Sequence, residues 1–289
     1  MSIVIGTNKS SLQAANYLSA NQTQLSNTLS ALSSGSRLTN PSTDSGGLAV
    51  SMQLTATANR DSALINTKAN AQSFLQTQNG ALQVATSIVD RISQLVTMSK
   101  DVTLTSTNTS NYNTEFSQLQ QELTTIIGAQ YNGISLFTNT TASGSLSVLS
   151  TNDLSTGNAI SIVQMNLGST TTGVGSIGVL ASSTVASSGG VTGYSSLTSI
   201  TSSEITSFVN TIATFAATNG AEQSRLNFAS QLATNDRTSL QSANSSISDT
   251  DIAQATTALA KWNVLVQAGT SMLTQANNSA QTVLKLITG

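Results

Sequence analysis

The chain has 289 residues and a net charge of −2, only 8% of its residues are charged, and it contains neither Cys nor His. Those absences remove disulfides, zinc sites of the usual kind, the Ser-His-Asp triad, Cys nucleophiles and the HExxH helix, and the charge offers no basic footprint for nucleic acid. With one Pro, 4% aromatics and 38% hydrophobic residues, much of that Ala, the composition suits long helices with thin seams better than a compact globule.

The first twenty residues, MSIVIGTNKSSLQAANYLSA, hold no apolar core of signal-peptide length, and no stretch of the chain reads as long and apolar enough to span a bilayer. Export, if it occurs, is therefore expected to need no cleaved signal. Ala15, Leu18, Leu25, Leu29 and Leu32 form a narrow heptad stripe interrupted by Gln22. The segment LSSGSRLTNPSTDSGG then gathers turn formers around Gly35 and Pro41, and reads as a structured linker between helical layers.

Helical spacing returns from about Ala49 to Lys100, where Leu64 and Ala71 lead into Leu75, Leu82, Val89 and Val96, with Ala85 and Ile92 beside them. The Asn/Ser/Thr-rich stretch from Ser106 to Asn113 reads as a turn, followed by a shorter helix carrying Phe116, Leu119, Leu123 and Ile126 and ending at Gly128 and Asn132-Gly133. Between 145 and 167, Leu146 and Val148, then Ile160 and Ile162, alternate with polar residues and predict a β-hairpin. Residues 168–200 are mostly Gly, Ser, Thr and Val, and the pattern leaves a short β excursion and a mobile loop equally open.

From Glu204 the sevenfold spacing resumes with Ile205, Ile212, Leu226, Ala233, Leu240 and Ile247, alongside Phe208, Phe215, Ala229 and Ala243, and with Asn219 and Glu222 as interruptions. The register does not carry through to Ile252, so a break is predicted at Ser248 to Asp251. The last stretch repeats Ile252, Leu259, Val266, Leu273, Ala280 and Ile287, with Ala255, Trp262, Gly269, Ala276 and Val283 in the second phase. Asp249 is the expected N-cap of this helix.

Matched single-seam helices at the two ends pair most simply antiparallel. The pair leaves apolar surface exposed and is expected to order fully only against copies of itself, in head-to-tail contacts that build an open helical polymer. The assembly seam is thus assigned to Leu18, Leu25, Leu29, Leu32, Ile252, Leu259, Trp262, Val266, Leu273, Val283 and Ile287. Asp249 and Asp251 resemble an acid/base or cation pair in spacing, but helix capping explains them better. Trp262 fits packing rather than a ligand platform, and Lys261 and Lys285 fit solvated positions. The residues point to no enzyme, no cofactor and no metal.

Several motifs, in order, resemble bacterial flagellin. LSSGSRLTNPSTDSGGLAVS resembles the family's Leu-Ser-Ser-Gly linker with Arg37 and the Gly47–Ser51 run, and QYNGISLF at Gln130–Phe137 resembles the close of its N-terminal half. GAEQSRLNFA, SISDTDIA and QAGTSMLTQANNSAQTVLKLI are similar to its C-terminal part, and the resemblance covers roughly the first 137 and last 90 residues. It implies a mainly α fold of long antiparallel coiled-coil helices with a small β-hairpin insertion. The implied parts are an inner coiled-coil (D0-like) layer from 1–43 and 249–289, an outer helical (D1-like) layer from 44–167 and 201–248, and a short variable Ser/Thr/Gly-rich surface segment at 168–200.

By the same resemblance the chain is an extracellular filament subunit for motility, exported unfolded through the flagellar type III apparatus. Its partners are copies of itself, an export chaperone, and hook-associated junction and cap proteins, with no membrane or nucleic acid. The lack of Cys suits passage through a narrow conduit. Arg37 either bridges to a neighbouring subunit or has a local, solvent-facing role. Arg91 occupies the family stretch that innate immune receptors read, but Ser93 and Gln94 stand where that stretch is charged, which weighs against detection by the flagellin-sensing Toll-like receptor. Ser279-Ala280 also replaces the usual Val-Pro, and the terminal Arg is absent. The Ser/Thr-rich segment 138–199 is open to O-glycosylation or to being plain polar surface. Two alternatives are a hook-filament junction protein, sharing the terminal helices, and a secreted adhesin or enzyme on flagellin-like ends, which the short middle and the lack of His disfavour.

Overall fold

The computed structural model describes residues 8–138, 144–151, 159–168, 177–182 and 193–288, the side chains of 283–288 excepted. The described chain is built mainly of helices: α1 (Lys9–Ser34), α2 (Ser45–Ser99), α3 (Ser106–Ile127), α4 (Ile177–Ala181), α5 (Ser202–Ser248) and α6 (Ile252–Thr288). Five short strands, β1 (Gln130–Tyr131), β2 (Ile134–Ser135), β3 (Phe137–Thr138), β4 (Gly144–Leu149) and β5 (Ala159–Asn166), lie between α3 and α4. The chain divides into two compact units, 1–58 with 238–289 and 59–237, the division falling within α2 and α5.

In the first unit α1 and α6 run antiparallel. Asn8 Nδ2 donates to the Ala276 carbonyl at 2.9 Å at one end of the pair, and Thr250 N donates to the Gly35 carbonyl at 2.9 Å at the other. Each helix is delimited by local chemistry. Asn8 Oδ1 accepts from Ser11 N at 3.1 Å and opens α1, and Gly35, at φ 73°, closes it in the left-handed conformation that costs glycine least. At α6 the cap is Asp251, whose Oδ1 accepts from Ala253 N at 2.9 Å and Gln254 N at 3.1 Å. Asp249, the residue expected to cap, instead pairs as an isolated antiparallel bridge with Ser36 and takes the Ser245 hydroxyl on its carboxylate. The chain break predicted at 248–251 is present between α5 and α6.

The second unit holds the apolar core. Leu75, Leu82, Ala85, Val89 and Ile92 of α2 meet Phe116 and Leu123 of α3, Phe208, Ile212 and Leu226 of α5, and Ile160, Ile162 and Met165 of β5. β4 and β5 pair antiparallel, with Leu146 opposite Ile162 and Val148 opposite Ile160, as the alternation predicts, while β3 adds to β5 in parallel. Asn132 and Gly133, at φ 51° and 77°, make the tight turn between β1 and β2, a conformation that Asn-Gly adopts readily.

Two stretches differ from the sequence reading. Ser106–Asn113 is not a turn but the first two turns of α3. Thr105 caps them by accepting from Asn108 N at 3.3 Å, and Asn113 turns inward to accept Leu197 N at 3.0 Å. The segment expected at the surface, 168–200, sends Ile177, Val179, Leu180, Tyr194, Leu197 and Ile200 into the core. They are among its few large side chains, and burying each contributes to the core. Residues 152–158, between the two strands of the predicted hairpin, lie outside the described residues.

Candidate assembly surfaces

The seam of the first unit follows the heptads. On α6, Leu259, Trp262, Val266, Gly269, Leu273 and Ala276 are half-buried, and Ala255 is buried. On α1, Ala14, Leu18, Leu25, Thr28 and Leu32 are half-buried. A Cβ on Gly269 would meet Leu18 Cδ1 at 3.2 Å, so the two helices are in close contact at that level. Leu29 at 56% exposure and Ile252 at 53% lie off the α1–α6 contact, with Leu12, Tyr17, Val264 and Met272 also exposed. Val283 and Ile287 lie outside the described side chains. No residue of α1 reaches full burial, so this pair is a half-covered seam, with apolar residues on the outer faces as well.

At one end of the seam the linker ties three helix ends together. Arg37 N donates to the Ser248 carbonyl at 2.8 Å and Arg37 Nε to the Ile247 carbonyl at 2.5 Å, two of the carbonyls that the end of α5 leaves unpaired. A cation there also opposes the negative end of the helix dipole. Arg37 Nη2 reaches Asp44 at 3.4 Å, and Asp44 Oδ1 accepts Gly47 N at 2.7 Å to cap α2. A Cβ at Gly47 would meet the Asp44 carboxylate, so a larger residue there would push the cap aside. Arg37 thus holds local partners, while its side chain keeps 47% exposure.

Within the second unit the apolar phases of α2 and α5 are broken by polar residues that the structure joins. Gln78, fully buried, donates to the Leu136 carbonyl at 2.8 Å and the Val163 carbonyl at 3.3 Å, and accepts from Asn219 Nδ2 at 2.7 Å. Asn219 also donates to the Leu75 carbonyl at 3.1 Å. Glu222 Oε1 accepts Val163 N at 3.0 Å, and burial pushes this carboxyl above the usual glutamate range. Lys68, 1% exposed, donates to the Ser150 carbonyl at 2.8 Å and the Ala229 carbonyl at 2.9 Å. Burial pulls its ammonium below the usual lysine range, against the opposing pull of Asp61 and Asp236. These groups fix the register of α2, α5 and the strands, because a slip would leave buried donors and carbonyls without partners. Sequence reasoning noticed Asn219 and Glu222 only as interruptions and missed Lys68 and Gln78, although Lys68 stands seven residues before Leu75 and Gln78 seven after Ala71.

Arg91 lies on the surface of α2, where its Nε donates to Glu115 Oε1 on α3 at 2.6 Å and its Nη1 to Gln94 at 3.2 Å. Among the described residues no group of three or more His, Cys, Asp or Glu is placed to hold a metal, and no helix is long and apolar enough to cross a membrane. What these surfaces can do chemically is bury apolar area against another molecule.

The chain matches the family described as bacterial flagellin N-terminal helical region over residues 5–142, and the one described as bacterial flagellin C-terminal helical region over 203–287. It is similar to a flagellin of Listeria innocua, 28% identical over 98% of this chain and 99% of the relative. It is also similar to the flagellar filament 30.7 kDa core protein of Treponema maltophilum, 29% identical over 99% of this chain and all of the relative. A flagellin A of Vibrio cholerae is 32% identical over 44% of this chain and 33% of its own length.

Proposed function

The chain belongs to the bacterial flagellin family and is a structural subunit of a flagellar filament, and on that premise we propose that its half-covered terminal seam is completed by neighbouring copies during assembly. The observation that carries this reading is the exposure of the α1–α6 pair: its large apolar residues are only half-buried, and Leu12, Leu29, Val264 and Met272 face outward. Full burial of a large apolar side chain contributes about 1.5–3 kcal/mol. Repeated along each subunit, that gain offsets the ordering entropy of two long helices and makes assembly the event that stabilises them. Arg37 and the linker hold the ends of the seam in register while this happens. An export chaperone, the junction and cap proteins, and secretion in an unfolded form belong to the same reading, supported by the family resemblance. In this reading residues 1–43 and 249–289 form the inner layer and 44–167 with 201–248 the outer one. The filament core proteins among the relatives favour a long polymer over a junction ring.

Seeded growth tests this. Purified protein mixed with filament fragments should extend into long tubes in negative stain, with a gain of helical circular dichroism. Leu273→Asp, which places a carboxylate in the seam, should leave a helical soluble protein that does not extend seeds. Normal filaments from that variant would sink the seam assignment.

A further inference from the structure

The sequence holds three Asn-Gly pairs, Asn79-Gly80, Asn132-Gly133 and Asn219-Gly220. Such a pair can react with itself: no side chain on the glycine obstructs its nitrogen from attacking the asparagine carboxamide carbon and expelling ammonia. The attack requires that nitrogen to turn towards the side chain, and a helix holds it away, bonded to the carbonyl four residues earlier. Gly80 and Gly220 both lie inside long helices, α2 and α5. Asn219 is held further: it is fully buried, its amide nitrogen donates to the Leu75 carbonyl and to Gln78, and its Oδ1 accepts from Gln223 at 2.5 Å.

Asn132-Gly133 is placed differently. Both residues are exposed, both have positive φ, and the turn is closed by only two residue pairs, Gln130 opposite Ser135 and Tyr131 opposite Ile134. Among the described residues nothing lies within 4 Å of where a Cβ on Gly133 would stand. So short a hairpin offers little resistance to rotation of the Asn132–Gly133 peptide. We infer that Asn132 is a site of spontaneous modification, deamidating through a cyclic imide, and that the product loosens the core beside it. Gly133 N forms a bond to Asn132 Cγ and gives up its proton, the carboxamide nitrogen leaves as ammonia, and water then opens the ring. Opening at Cγ leaves aspartate. Opening at the main-chain carbonyl leaves isoaspartate, in which the main chain runs through the side chain and gains a methylene. A turn closed by two residue pairs cannot absorb that extra atom and keep its register. Its flanks reach inward: the Tyr131 ring meets Phe74 of α2 edge-on at 6.1 Å, and the Leu136 carbonyl accepts from Gln78 at 2.8 Å. Isoaspartate at 132 therefore disturbs the junction that Gln78 pins.

Full-length protein aged in heavy-oxygen water at mildly alkaline pH, where the attacking nitrogen loses its proton more readily, should take up label at residue 132 as a mixture of aspartate and isoaspartate. Peptide mass spectrometry should find none at Asn79 or Asn219, whereas in denaturant all three pairs should label. The labelled protein should melt below fresh protein. Asn132→Gly, which suits the same turn and carries no carboxamide, should neither label there nor lose melting temperature on ageing. An unlabelled residue 132, or label at Asn79 or Asn219 as fast as at Asn132 in the folded protein, overturns the site assignment. Labelled protein that melts like fresh protein overturns the loosening.

Discussion

Gln78→Leu is the sharpest perturbation of the second unit, because it conserves approximate size and removes hydrogen bonding from a site with no access to water. Leu136 loses the 2.8 Å donor to its carbonyl, and Asn219 loses the 2.7 Å acceptor for one amide hydrogen while keeping the Leu75 carbonyl at 3.1 Å. A buried polar group left unpaired costs about 1–3 kcal/mol, so the two together predict a loss of about 2–6 kcal/mol. For a unit of this size each kcal/mol moves the midpoint by roughly 2–4 °C, which places the Tm decrease between about 4 and 24 °C. The assay is thermal and urea unfolding of the monomer followed by circular dichroism, repeated with Asn219→Leu and with both changes. Since each single change orphans what the other removes, the double variant should be more stable than the sum of the singles predicts, with a coupling above about 1 kcal/mol. A Tm shift under about 2 °C, or strict additivity, would show that the cluster does not hold the register of α2 and α5.

Glu222 gives a pH test. Its carboxyl is raised in the folded chain, mainly by burial, so the native state binds a proton more readily than the unfolded state. That contribution is fully present below the unfolded glutamate value and is lost as pH rises through the folded one; Glu222→Gln should flatten this part of the stability profile, and an unchanged profile would refute it. At the start of α6, Asp251→Ala should cost about 0.5–2 kcal/mol through loss of the cap and lower the melting temperature of the filament. Asp249→Ala should cost less, since its side chain accepts from Ser245 rather than from the first turn of α6; equal effects from the two would contradict the assignment of the cap to Asp251.

The seams were legible because burial on one helix face imposes a sevenfold rhythm, and Leu18, Leu25, Leu259, Val266 and Leu273 keep it without a break. The break before α6 showed as a loss of phase, and the hairpin as alternation at Val148 and Ile160. What stayed hidden is where polar residues take core positions. Lys68 and Gln78 carry side chains that ordinarily mean solvent, and only their phase, shared with Leu75 and with Ala71, marks them as inward. The start of α3 was hidden by composition, since Asn and Thr favour turns until a cap and an inward partner, as at Asn113, tip the balance. Tyr194 and Leu197 sit in a run too short and too rich in Ser to show any period, so their burial follows from tertiary contacts with α3 and α5 that no local window contains.

The hydrogen bond from Asn8 to Ala276 joins residues 268 apart in sequence. At a synthesis rate of about 5–20 residues per second, the first helix waits roughly 13–54 s for its partner to be made. Before that interval ends every core residue of the second unit has been made, while Leu18 still lacks the α6 residues it packs against. The seam is therefore a length check on the polypeptide: a chain cut short before Ala276 loses the bond that Asn8 makes there, and on the assembly reading it is expected not to extend filaments.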